Sequence, residues 1–160
     1  MCIRDRNKVV QRVASRADHL EAVQALLDSG AGVDVRASNG ETALMLACGK
    51  RNEMLVPVLL DNGADVNAKT AFGRTALMAA SVYGSLEVVQ KLLDKGAEVN
   101  ARDDDGKTAL MIACKYNRDV VRALLDKGAV CLLYTSLMCI RWKRPTASLR
   151  FSPWRSRNTP

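Results

Sequence analysis

Residues 72–104 read FGRTALMAASVYGSLEVVQKLLDKGAEVNARDD, and they contain one complete unit of an internal repeat. The first ten letters return as NGETALMLAC at residues 39–48 and as DGKTALMIAC at residues 105–114, so each start lies 33 residues after the last. The second half also returns, as LLDNGADVNA from residue 59 and as LLDKGA, one residue early, from residue 124. A fixed period of this length is typical of a solenoid built from stacked units.

Each unit predicts two short helices separated by a break. Thr75 is placed to cap a first helix over ALMAASVY, because its hydroxyl can accept a bond from an unpaired backbone N–H. The letters GS at residues 84–85 interrupt that helix, and LEVVQKLLDK predicts a second helix that Gly96 ends. One side of this second helix is apolar and consists of Leu86, Val89, Leu92 and Leu93. A single helix pair cannot bury its own apolar side, so the units must stack on one another.

A 33-residue unit with G-x-T-A-L-M-x-A, VV-x-x-LL-D-x-GA and DVNA resembles the ankyrin repeat, which carries T-P-L-H-x-A at the same place. The resemblance implies an all-α ankyrin-repeat solenoid of stacked helix-turn-helix units with hairpin loops. The chain departs from the family motif at two positions of each unit. Ala43, Ala76 and Ala109 stand where the family has Pro, and Met45, Met78 and Met111 stand where it has His. Methionine replaces the histidine hydrogen bond between units with packing, so we expect a less rigid stack.

The repeats account for residues 7–130. They divide into a partial unit at 7–33 and full units at about 34–66, 67–99 and 100–130. The partial unit contains a good second helix in ADHLEAVQALLDSGA, whereas residues 7–16 fit a first helix only loosely. Pro57 is predicted to lie inside the second helix of its unit, where it would remove one helical hydrogen bond and kink or shorten the helix.

The two ends of the chain do not follow the repeat. Residues 1–6, MCIRDR, resemble a translation of ATG-TGT-ATA-AGA-GAC-AG, a transposon end used as an adapter for sequencing libraries. The reverse complement of that DNA gives CLLYTS, which stands at residues 131–136, and MCIR recurs at 138–141 before Trp142. We therefore expect residues 1–6 to be an adapter-derived artefact and residues 131–160 to be an artefactual or disordered basic tail. We also expect the repeats to be a fragment of a longer array. The alternative is that both ends are native, and the source locus would then encode them in frame.

The net charge of +7 belongs to those ends alone. Residues 1–6 contribute +1, and residues 131–160 contribute six basic side chains and no acid. Residues 7–130 hold 16 basic and 16 acidic side chains, so the repeats carry no net charge. We therefore do not expect the repeats to bind nucleic acid, which favours a basic stripe. If the basic tail is native, nucleic-acid binding through it is an alternative function, and DNA binding by the whole chain would then depend on salt.

Composition argues against catalysis and cofactors. His19 is the only histidine, so a catalytic triad or a zinc site lacks partners. The acidic run DDDG at residues 103–106 lacks the ligand pattern of an EF-hand and fits a hairpin tip. Cys48 and Cys114 fill the position of Ser81, which predicts small core residues. We expect no cofactor, no metal site and no membrane span, and two thiols without a disulfide framework favour an intracellular, cytoplasmic location.

Function must then come from the surface. The resemblance implies that hairpin tips and the exposed side of each first helix contact a protein partner, whose identity the sequence does not give. The repeat phase assigns these positions to 17 residues, which we call the binding stripe. They are Arg36, Ser38, Asn39, Glu41 and Lys50; Lys69, Ala71, Phe72, Arg74, Val82 and Tyr83; and Arg102, Asp104, Asp105, Lys107, Lys115 and Tyr116. Phe72 at a hairpin tip is the strongest candidate anchor, because exposed aromatic residues beside arginine are common in interfaces.

Two further hypotheses concern the rest of the native protein. The repeats are compatible with a segment of a larger enzyme or effector whose catalytic domain lies outside this chain, and sequence flanking the locus would show that domain. A cut array also lacks terminal units with polar outer faces, which predicts self-association through its uncapped ends.

Overall fold

The computed structural model describes residues 20–83 and 85–130, and these residues form α-helices and no β-strand. Predictions for residues 7–16, for His19 and for both chain ends fall outside the described residues. In chain order, the helices are α1 (Leu20–Asp28), α2 (Ala43–Gly49), α3 (Leu55–Asp61), α4 (Ala76–Tyr83), α5 (Leu86–Asp94), α6 (Ala109–Tyr116) and α7 (Arg118–Asp126).

The helices form two stacked rows. The first helices of the units, α2, α4 and α6, contact one another in series, and the second helices α5 and α7 also contact each other. Within each full unit the first helix packs on the second, which follows it in the chain. One continuous apolar core runs through the stack from Val23 in α1 to Leu124 in α7. The predicted all-α solenoid is confirmed.

Side-chain caps fix where the helices start. The hydroxyls of Thr42, Thr75 and Thr108 each accept a bond from the backbone N–H three residues later, at 3.3 to 3.4 Å. Ser85 caps α5 through a 3.4 Å bond from the N–H of Val88. Asn117 does the same for α7 at 3.5 Å. Because each cap satisfies an N–H that no helical carbonyl can reach, the short helices have defined first turns.

Each second helix ends in the same way, as α5 illustrates. Gly96 adopts a left-handed backbone with φ of 87°. Its N–H donates to the carbonyl of Leu93 at 3.1 Å, and the N–H of Ala97 donates to the carbonyl of Leu92 at 3.0 Å. This pair of bonds closes the helix and turns the chain towards the next unit.

Helix α3 is the exception among the second helices. It has seven residues, whereas α5 has nine, and it starts at Leu55 without a side-chain cap. The predicted shortening is confirmed. The predicted loss of a helical hydrogen bond is wrong, because Pro57 is the third residue of α3. An N–H in that first turn has no helical acceptor, so a proline is tolerated there.

The apolar side of α5 also differs from the prediction. Val89, Leu92 and Leu93 are buried as expected, but Leu86 is 37% exposed. Val88 is buried in its place. Leu86 is the first residue of the helix and follows the Ser85 cap, so it lies at the edge of the stack rather than inside it.

Candidate protein-binding groove

Tight hairpins precede the first helices, and polar side chains within them bond to the hairpin backbone. The N–H of Thr70 donates to the carbonyl of Arg74 at 2.9 Å, and the N–H of Asp103 donates to the carbonyl of Lys107 at 3.0 Å. The Thr70 hydroxyl also accepts from the N–H groups of Phe72 and Arg74, at 3.2 and 3.1 Å. A carboxylate oxygen of Asp103 accepts a hydrogen bond from the N–H of Lys107 at 2.8 Å, so this side chain stabilises the turn.

Neighbouring hairpins are bonded into a continuous wall. The N–H of Ala71 donates to the carbonyl of Asn39 at 3.0 Å, and the N–H of Asp104 donates to the carbonyl of Phe72 at 3.1 Å. Gly73 lies where its hairpin closely approaches the next one. Its φ is 70°, and a Cβ there would lie 2.9 Å from a carboxylate oxygen of Asp104. The wall therefore holds the hairpins in fixed register along the stack.

A groove of about 600 Å³ runs between this wall and the first helices. Two rows of apolar residues, one residue from each unit in each row, form its floor. The rows are Met45, Met78 and Met111, and Leu46, Ala79 and Ile112. Met45 and Met78 are buried, and Met111 is half-buried. Methionine side chains are flexible and polarisable, so such a floor can adapt to apolar groups of different shape.

Aromatic and charged side chains form the rim of the groove. Tyr83 and Tyr116 end two of the first helices and are 53% and 56% exposed. The Lys115 ammonium lies 5.0 Å from the centroid of the Tyr116 ring, a cation–π contact. At the hairpin wall, the Lys107 ammonium lies 2.8 Å from a carboxylate oxygen of Asp105. That hydrogen bond lowers the pKa of the Asp105 carboxyl and raises the pKa of the Lys107 ammonium.

The structure divides the binding stripe into two sets, and none of its members is buried. The groove-lining set is Glu41, Lys50, Arg74, Val82, Tyr83, Lys107, Lys115 and Tyr116. The remaining set lies on the hairpins outside the groove lining and is Arg36, Ser38, Asn39, Lys69, Ala71, Phe72, Arg102, Asp104 and Asp105. Phe72 is 62% exposed at its hairpin. Arg36 has a structural contact, because its guanidinium donates to the carbonyl of Lys69 in the next unit at 2.9 Å.

Sequence reasoning missed the apolar floor of the groove. The prediction assigned methionine to packing between units and did not assign Leu46, Ala79 or Ile112 to the surface. Residues four apart on a helix share a face. Leu46 therefore lies one turn before Lys50, just as Ala79 lies one turn before Tyr83. That spacing was the signal that could have identified the floor.

The two repeat cysteines differ in environment. Cys48 is 1% exposed, and burial raises the pKa of its thiol to about 12. Cys114 is half-buried, and neither residue forms a disulfide. Ser81 fills the same position in the middle unit, and its hydroxyl donates to the carbonyl of Leu77 at 2.7 Å. A small side chain therefore packs at this position in each unit.

Residues 20–83 and 85–130 contain no group of three or more His, Cys, Asp or Glu side chains that could hold a metal ion. In the same part of the chain, every helix is too short or too polar to cross a membrane.

Comparison with known proteins agrees with this architecture. A family model described as ankyrin repeats (3 copies) matches residues 12–103 and 70–135, which together cover residues 12–135 of the 160. A search of curated proteins gave no significant match. Ankyrin repeats are generally modules of protein–protein interaction and are typically non-catalytic. Since the family model covers most of the chain and follows the same repeat, the chain belongs to the ankyrin-repeat family.

Proposed function

We propose that the chain binds a segment of a partner protein in the groove, with the hairpin tips as a second contact region. The observation that carries this proposal is the combination of an apolar floor with an exposed aromatic rim. Exposed apolar groups that are contiguous, rather than scattered singly, are typical of interaction sites. Stacked helices and bonded hairpins hold the walls of the groove in place. Binding a partner would therefore cost little free energy for ordering this surface.

The binding stripe is the proposed set of partner contacts. Its groove-lining members would surround the partner segment, and Tyr83 and Tyr116 would act as anchors. Tyrosine combines a large apolar ring with a hydrogen-bonding hydroxyl, and it is enriched among residues that dominate binding energy. Phe72 and its hairpin neighbours would extend the contact beyond the groove.

Selection of peptides from a displayed random library on the full chain tests this proposal. We expect selected peptides to bind the wild-type chain and to lose at least about tenfold in affinity against the variant Tyr83→Ala/Tyr116→Ala. The matched control is Met54→Ala, which removes a side chain that is 69% exposed but lies outside the groove. The variant Phe72→Ala tests the contribution of the hairpin tips separately from that of the groove.

The variants distinguish the outcomes clearly. Peptides that lose affinity only with the tyrosine variant would place binding in the groove. A loss with Phe72→Ala alone would move the site to the hairpin tips. Peptides whose affinity is the same for all these variants would contradict both proposed regions.

A further inference from the structure

The charged residues that line the groove are mostly basic. Only two of them are acidic. The basic ones are Lys50, Arg74, Lys107 and Lys115, and the acidic ones are Glu41 and Asp103. Asp103 is 7% exposed, and its carboxylate is bonded to the N–H of Lys107. Its charge is therefore directed into the hairpin, and the groove presents an excess of positive charge to a ligand.

Three of these cations form no ion pair within the described residues. Lys107 is paired with Asp105 at 2.8 Å. Lys50, Arg74 and Lys115 take part in none of the ion pairs formed there. All three are exposed, and they come from three successive units. They are therefore available to pair with charges on a ligand at both sides of the groove.

Lysines away from the groove behave differently. Lys91 pairs with Glu87 at 2.9 Å, within α5. Lys95 lies 3.1 Å from a carboxylate oxygen of Asp61, and Lys127 lies 2.9 Å from one of Asp94. Within the described residues, the lysines that form no ion pair are therefore those at the groove. Outside the groove, the cations of this part of the chain that form no ion pair are arginines: Arg36, Arg51, Arg102 and Arg122.

We propose that the groove selects an acidic, amphipathic protein segment. Apolar side chains of that segment would lie on the half-buried residues of the floor, which are Leu46, Ala79, Met111 and Ile112. Its Asp or Glu residues would face Lys50, Arg74 and Lys115. This inference rests on the proposed function and adds the charge of the partner to it. Three stacked helices, each 8–10 Å from the next, span about 20 Å. At 1.5 Å per residue, a helical segment of about 12 residues covers that length.

The alternative anionic partner, a nucleic acid, fits the groove less well. Nucleic acids are held by many phosphate contacts along a basic track. Here the unpaired cations stand singly, about one per unit, and Glu41 and Asp105 lie on the hairpin wall beside them. The floor consists of Met, Leu, Ala and Ile side chains, which match the apolar side chains of a peptide.

Peptides of about 12 residues selected on the full chain test this inference. We expect groove-dependent peptides to be enriched in Asp and Glu relative to the starting library. One enriched peptide should bind the variant Lys50→Gln/Arg74→Gln/Lys115→Gln about tenfold more weakly than wild type. The matched control, Lys91→Gln/Lys95→Gln/Lys127→Gln, removes the same total charge outside the groove. The control variant should change the affinity of the peptide by less than about twofold. If the peptide bound the basic tail instead of the groove, neither triple variant would change its affinity.

Four results would overturn the inference. Groove-dependent peptides without acidic enrichment, or equal losses in the two triple variants, would reject the charge preference and leave the proposed function standing. Failure to obtain any peptide that depends on Tyr83 and Tyr116 would reject both. Suppose that a single-stranded oligothymidylate of about 12 nucleotides binds wild type but not the variant Lys50→Gln/Arg74→Gln/Lys115→Gln. That result would assign the groove to nucleic acid.

Discussion

The middle unit and the last unit share most of their letters, yet equivalent residues are buried to different degrees. Met78 in the middle unit is 2% exposed, whereas Met111 in the last unit is half-buried. Ser81 is fully buried, whereas Cys114 at the same position is half-buried. Described units lie on both sides of the middle unit and on only one side of the last. Burial in this fold therefore depends on the neighbouring unit as much as on a unit's own sequence.

The hairpin glycines show the same difference between the middle unit and the last unit. Gly73 and Gly106 have φ of 70° and 73°. A Cβ on Gly73 would lie 2.9 to 3.2 Å from atoms of Asp103 and Asp104, whereas a Cβ on Gly106 would meet nothing within 4 Å. The same turn is thus tightly packed where a described hairpin follows it and open where none does.

The largest predicted effect on the free energy of unfolding comes from alanine substitutions at Gly73 and Gly106. Gly106→Ala should lower the free energy of unfolding by about 1 kcal/mol, because a side chain is strained at this φ. Gly73→Ala should lower it by about 3 kcal/mol, because the hairpins must also separate to admit the methyl group. Denaturant titration of the full chain measures both losses.

Gly49→Ala is the control for this experiment. Gly49 is helical and a Cβ there would meet nothing within 4 Å, so the substitution should stabilise the chain by about 0.5 kcal/mol. Equal losses for Gly73→Ala and Gly106→Ala would mean that the hairpin wall yields freely, which contradicts the close packing between units.

The thiol position gives the second prediction. The pKa of Cys48 is raised from 9.0 to about 12 by burial. A group whose pKa is higher in the folded chain stabilises that state fully below the unfolded value and loses this contribution as pH rises. Stability attributable to the buried thiol is therefore complete below about pH 9 and falls towards pH 12, by up to about 1.4 kcal/mol per pH unit.

Cys48→Ser isolates that contribution, because Ser81 shows that serine is accommodated at this position. The free energy of unfolding of wild type, relative to Cys48→Ser, should fall by about 2 kcal/mol between about pH 8 and pH 10.5. Taking the difference cancels the titration of other groups. Cys114→Ser should show a smaller change, because Cys114 is only half-buried. A difference for Cys48→Ser that does not vary with pH would show that water reaches the Cys48 thiol in the folded chain.

The sequence was sufficient to predict the stack, because the fold repeats one local pattern. Threonine caps, helix-ending glycines and the apolar face of α5 all depend on residues within one unit. The spacing of 33 residues then places equivalent positions beside one another. Local capping and periodic burial agree, which is why the fold class could be predicted.

The groove could not be predicted as fully, because it depends on the distance between units. Met45 and Met78 look like ordinary core residues in the sequence, and only stacking brings them to the floor of a groove. Leu46, which follows Met45 in the chain, is half-buried because the next unit stacks beside it. The excess of basic charge at the groove was also hidden, since it arises from which charged side chains line the groove rather than from the composition of the repeats. Asp103 counts as one acid in the sequence but is turned into its hairpin.

The third prediction concerns a contact that the middle and last units share. Asn67 accepts from the N–H of Glu98 at 2.8 Å and donates to the carbonyl of Gly96 at 3.1 Å. Asn100 makes the equivalent bonds to Val130 and Gly128, at 2.8 and 3.3 Å. Asn67→Asp and Asn100→Asp keep the acceptor and lose the donor. Each should therefore cost about 1 kcal/mol of unfolding free energy.

Asp34 offers the reverse test. It already accepts from the N–H of Asp65 at 2.8 Å, so Asp34→Asn keeps that bond and adds an amide donor. We expect a gain of about 0.5 kcal/mol in thermal or denaturant unfolding. If Asn67→Asp costs much more than Asn100→Asp, the loops of the two units are not equivalent, and the difference between the units extends beyond their packed faces.

The smallest expected effect comes from the ion pairs at the ends of the second helices. Lys95 pairs with Asp61 and Lys127 pairs with Asp94, and about half of each lysine side chain is exposed. Exposed pairs gain little in water and lose side-chain entropy, so Lys95→Ala and Lys127→Ala should each cost less than about 0.5 kcal/mol. Because both pairs are equally exposed, the middle and last units should respond alike. A double-mutant cycle with Asp61→Ala, repeated at high salt, should show a coupling that shrinks as salt screens it. A loss above about 1 kcal/mol for Lys127→Ala alone would mean that this pair holds the last unit on the stack, and that the last unit is more weakly packed than its buried Leu124 and Val120 indicate.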